Sequence, residues 1–127
     1  MTDHWDSKLP AVDLTIGQLN GIIIAISREG RDRVEELKKL NTKAAEARAN
    51  AEVVFARAFM NADGRPMDER RQIAMLAAAD ARYKADLADR EVAALKKAID
   101  SGRDDMEAAR TISANVRDEL KTLGGQP

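Results

Sequence analysis

Met60-Asn61-Ala62-Asp63-Gly64-Arg65-Pro66 is the one stretch at which this chain has to turn. Long helix-forming runs lie on both sides of it. Gly64 can take the φ > 0 backbone that ends a helix, and Pro66 cannot continue a helix but can open the next one. The stretch therefore reads as the turn of an α-helical hairpin.

Working back from the turn, apolar residues recur at Leu19, Ile23, Ile26, then Val34, Leu37, Leu40, Ala44, Ala47, Ala51, Val54 and Ala58. Steps of three and four residues put them on one helical face, with Gly30 inside it and a phase slip near Val34. Thr15-x-x-Gln18 has the spacing of a capping box, and Leu14 and Leu19 that of a hydrophobic staple. Helix 1 is thus expected over about 16–61, roughly 70 Å at 1.5 Å per residue. Residues 1–14, with His4, Trp5 and Pro10, show no helical period and read as a flexible arm.

Beyond the turn, Asp68 and Glu69 put negative charge where the helix macrodipole favours it. The seam then runs Ala74, Ala78, Ala81, Ala85, Ala88, Val92, Leu95, Ile99, Gly102, Met106, Ala109, Ser113, Val116, Leu120 and Leu123, a heptad alternation without a miss. Helix 2 is expected over about 67–123, stopped by Gly124-Gly125, with residues 62–66 as the turn. Antiparallel partners should have residue numbers of constant sum. Val54 with Ala74, Ala44 with Ala85, Leu37 with Val92 and Ile23 with Met106 all meet that test. The fold class is all-α: a long, coiled-coil-like antiparallel two-helix hairpin over 15–124. A rival reading ends helix 2 near Gly102 and starts a third helix at the box Asp104-x-x-Glu107. That helix would fold onto a second apolar stripe, Ile73, Leu76, Tyr83 and Leu87. Continuity is preferred, because the heptad phase survives the glycine and residues 16–26 would otherwise lose their partner.

Composition bounds the function. Net charge is −1, with 34% charged and 44% hydrophobic residues, which argues against disorder and against a strongly basic nucleic-acid-binding domain. There is no cysteine, so thiol chemistry and zinc–thiolate sites are excluded, as fits a cytoplasmic protein. The first residues lack the basic start of a signal peptide, and Gly21–Ile26 is too short to span a membrane. The single histidine supports no Ser/His/Asp set, no phosphate loop occurs, and the carboxylates are interleaved with basic residues. No catalytic residue, metal site or cofactor is expected, and the chain reads as a non-enzyme.

Two clusters exceed what a solvated hairpin needs. Ile22, Ile23, Ile24 and Ile26 point in more directions than one partner helix can cover, since neighbours lie about 100° apart, so they are the expected oligomer interface. Near the turn, Arg48, Arg57, Arg65, Arg70 and Arg71 form a candidate nucleic-acid-binding set. Glu52, Asp63, Asp68 and Glu69 are close enough to neutralise it, and Phe55, Phe59 and Tyr83 are the nearby aromatics.

The layout resembles the UvsY-type recombination mediators of tailed bacteriophages. The similarity lies in Ala56-Arg57-Ala58 before the turn, Ala62-Asp63-Gly64-Arg65 in it, the restart Met67-Asp68, and Ile112-x-x-x-Val116-Arg117 in the last helix. The resemblance implies a homo-oligomer in the host cytoplasm that binds single-stranded DNA. It also implies a role in loading a recombinase where a single-strand-binding protein already sits. Arg57 matches the basic position expected to contribute to DNA binding, whereas Phe55 stands where a second basic residue belongs. The alternative is a structural or scaffolding coiled coil, or a small inhibitor of a host protein, without nucleic-acid contact.

Overall fold

The computed structural model describes residues 15–124, and the readings that fall on residues 1–14 and on Gly125 lie outside them. Among the described residues there are two helices, α1 (Ile16–Asn61) and α2 (Met67–Gly124). The fold is an all-α helical hairpin, and α2 runs unbroken through Gly102, so the third-helix reading is not followed.

Each boundary has a local cause. At the start of α1 the capping box closes both ways: Gln18 N donates to Thr15 Oγ1 at 3.0 Å, and Thr15 N donates to Gln18 Oε1 at 2.8 Å. This uses the reciprocal chemistry by which Thr and Gln satisfy orphan amides at a helix start. At the turn, Gly64 has φ +89°, where a β-carbon would be strained. Ala62 N still bonds Ala58 O at 3.1 Å, while Arg70 N reaches Pro66 O at 3.0 Å, so Pro66 sits just outside α2 and caps its first turn. Asp68 and Glu69 occupy that first turn and Lys121 the last turn of α2, in keeping with the helix dipole.

The described residues form two compact units, residues 33–98 and the segments 15–32 and 99–124. In the first, the seam is mostly alanine. Ala44, Ala51, Ala74, Ala78, Ala85 and Ala88 are buried together with Val92. Ala44, Ala88 and Val92 form a cluster flanked by Leu37, Leu40 and Ala47, as antiparallel pairing requires. In the second unit Leu19, Ala109, Ser113 and Val116 are buried, and Ile23, Ile26, Ile99 and Met106 are half-buried.

The expected phase slip near Val34 does not occur. Val34 is 40% exposed, and the half-buried residues run Ile26, Gly30, Arg33, Leu37, an unbroken alternation of four and three. Arg33 therefore holds the seam position. Its Nη1 donates to the Ala98 carbonyl at 3.3 Å, and its aliphatic stem can line an apolar seam while the guanidinium finds an acceptor. Leu120 and Leu123, the last two residues of the expected seam, are exposed at 49% and 78%. In this register their partners would precede Thr15, outside the described residues.

Candidate functional site

Three of the five arginines of the candidate set have partners within the chain. Arg70 is built into the turn. Its Nε and Nη2 donate to the Phe59 carbonyl at 3.2 and 3.1 Å, and its guanidinium carbon lies 4.2 Å from the Phe59 ring centroid. The last carbonyls of a helix have no partner within it and favour a nearby cation. The last turn of α1 contains no basic residue, so α2 supplies the capping cation.

A second arginine of α2 stacks on the neighbouring phenylalanine ring. Phe55 and Phe59 stack with centroids 6.3 Å apart, and Arg82 of α2 lies 4.8 Å over the Phe55 ring. Phe55 and Arg82 are not level in the register. Side chains lean toward their own helix N-terminus, so in an antiparallel pair an α1 residue meets an α2 residue of somewhat higher number. Arg48, which pairs with Asp89, and Lys43, 4.0 Å from Glu91, follow the same rule. Phe55 and Phe59, two of the aromatics that the sequence places near the turn, thus have arginines of their own chain over their rings. Arg82 was absent from the sequence reading. The available signal was the i,i+4 spacing of the two phenylalanines, which gives one helical side two rings for a facing cation.

Of the remaining arginines, Arg65 pairs with Glu69. Arg57 and Arg71 are exposed and, among the described residues, have no hydrogen-bond or ion-pair partner. Arg71 lines an open apolar groove with Phe55, Ala56, Phe59 and Met60. Arg57 is not among the residues that line it.

The isoleucine cluster lies in the other unit. Ile22, Ile23 and Ile26 are half-buried, and Ile24 is 51% exposed. Among the described residues no group of three His, Cys, Asp or Glu side chains could hold a metal ion, and no helix is long and apolar enough to cross a membrane. Comparison with protein-family models, curated proteins and solved structures finds no match.

Proposed function

We propose that this chain is an oligomeric accessory protein of DNA recombination, of the phage mediator type that its layout resembles. Each hairpin contributes a weak contact to single-stranded DNA, and the assembly helps load a recombinase where a single-strand-binding protein sits, in the host cytoplasm. The observation that supports this reading is the pair of uncommitted cations near the turn, Arg57 and Arg71. Arg71 lies beside an open apolar groove lined by Phe55, Ala56, Phe59 and Met60, which sets a cation next to apolar surface. One subunit neutralises few phosphates, so affinity comes from several copies held together through Ile22, Ile23, Ile24 and Ile26.

Fluorescence anisotropy of a labelled oligonucleotide, titrated with salt, tests the proposal. Each neutralised phosphate contributes a slope of about −0.7 in log affinity against log salt on single strands. Arg57→Ala with Arg71→Ala should weaken binding to all sequences alike and flatten that slope. Arg70 is left intact because it closes the turn. Absence of binding at low salt, or an unchanged slope in the double variant, would overturn the proposal.

A second reading, a scaffold or an inhibitor of a host protein without DNA contact, is favoured by a specific observation. Arg70 is committed to the Phe59 carbonyl, and Arg48 and Arg65 already have carboxylate partners at the surface that a nucleic acid would have to displace.

A further inference from the structure

Continuity of α2 leaves the stripe on its outer side without a partner helix. Ile73 is half-buried, while Leu76, Tyr83 and Leu87 are 80%, 61% and 38% exposed. With Asp80 and Arg90 included, the stripe runs 73, 76, 80, 83, 87, 90, alternating three and four. That is a heptad, the spacing that keeps one face turned toward a second helix.

We propose that this stripe pairs with the same stripe of a second copy, antiparallel and about a two-fold axis. The argument for a second copy is self-complementarity. Asp80 interrupts the stripe at its middle, so a wholly apolar partner would strip water from a carboxylate without replacing the lost hydrogen bonds. An antiparallel copy supplies the missing donor. When Leu76 meets Leu87 of the second copy, constant register places Asp80 against Tyr83 and Ile73 against the stem of Arg90. All three pairings occur twice. One Asp80 oxygen already faces the Lys84 ammonium at 3.1 Å, which balances the charge, and the other is left to accept from the tyrosine hydroxyl. A polar pair inside such a seam fixes register. This surface is separate from the isoleucine cluster and does not depend on DNA binding.

Because the chain has no cysteine, introduced thiols report the register directly. Leu76→Cys and Leu87→Cys are prepared separately in the full chain, then oxidised alone and mixed. Helical circular dichroism checks that each variant folds. The mixture should give a covalent dimer on a non-reducing gel, and neither variant alone should, because like positions lie about 16 Å apart along the axis. Adding Tyr83→Phe to both should raise the concentration needed for half-maximal linking about tenfold, through two lost hydrogen bonds per dimer. Linking of Leu76→Cys to itself would indicate a parallel pair and overturn the proposal. No linking in the mixture would also overturn it.

Discussion

Residues 33–98 and the paired segments 15–32 and 99–124 use one seam pattern with different side chains. In residues 33–98 the buried positions are alanines and Val92, and the only glycine is Gly64 in the turn. In the other unit the seam carries Leu19, Ile23, Ile26, Ile99 and Met106, and Gly17, Gly21, Gly30 and Gly102 lie within the helices. Alanine loses no side-chain entropy in a helix and is its best former, but it buries little apolar area. A seam of alanines therefore relies on helix propensity, close approach and flanking contacts such as Arg70–Phe59 and Arg48–Asp89. The isoleucine-rich unit relies on Leu19 and Val116, which are buried, and on larger half-buried side chains, with each helical glycine costing about 0.5–1 kcal/mol relative to alanine. The two units should respond in opposite ways to a change of side-chain size.

Truncation of Leu19 should produce the largest effect. Its side chain is 1% exposed, and removing a buried leucine side chain costs about 2–5 kcal/mol, depending on how far the site collapses. In Leu19→Ala, amide exchange should quicken in residues 16–32 and 99–124 while residues 33–98 keep their protection. Uniform loss of protection would show one cooperative body and remove the basis of the comparison.

Enlargement should damage the alanine seam. Ala78 has no exposed surface, so Ala78→Leu forces helix separation or off-rotamer packing, at about 1–3 kcal/mol. Urea midpoints at fixed protein concentration would measure it, since self-association also shifts apparent stability. An unchanged midpoint would mean that the alanines are not in close contact.

Arg70→Ala should cost about 1–2 kcal/mol, by leaving the Phe59 carbonyl without its donors and removing a cation from the end of α1. Arg70→Lys should restore only part of this, because an ammonium cannot reproduce the fork and the face-on stacking of a guanidinium. Full recovery in the lysine variant would reduce the contact to charge alone.

Periodicity and cap chemistry made most of the fold readable. Thr15-x-x-Gln18, Gly64 and the heptad through Gly102 each carry a short-range physical rule, and the structure follows all three. Arg33 is not legible in the sequence, because apolar spacing passes over a cation whose stem can lie in a seam and points instead to Val34 with a phase slip. The arginines near the turn were harder for a related reason. Sequence shows that Arg48, Arg65 and Arg70 are charged, but whether each faces a ligand or an acceptor on the other helix depends on side-chain lean and register. Arg57 and Arg71 are distinguished from them only by what lies opposite in three dimensions.

The smallest expected effect has the opposite sign. Gly30 lies in the isoleucine-rich unit, within the half-buried run that continues to Arg33, and an added β-carbon there would meet no atom within 4 Å. Its backbone is helical, so alanine fits without strain and removes the conformational freedom that glycine gives the unfolded chain. Gly30→Ala should therefore stabilise by about 0.5–1 kcal/mol, seen as a higher urea midpoint at unchanged slope. Gly64→Ala serves as the control, since φ +89° makes the same substitution costly there. Destabilisation by Gly30→Ala would mean that the helices approach more closely at this level than the open space around Gly30 shows. The isoleucine-rich unit would then depend on close contact as the alanine seam does, and the contrast between the two would narrow to the identity of their large residues.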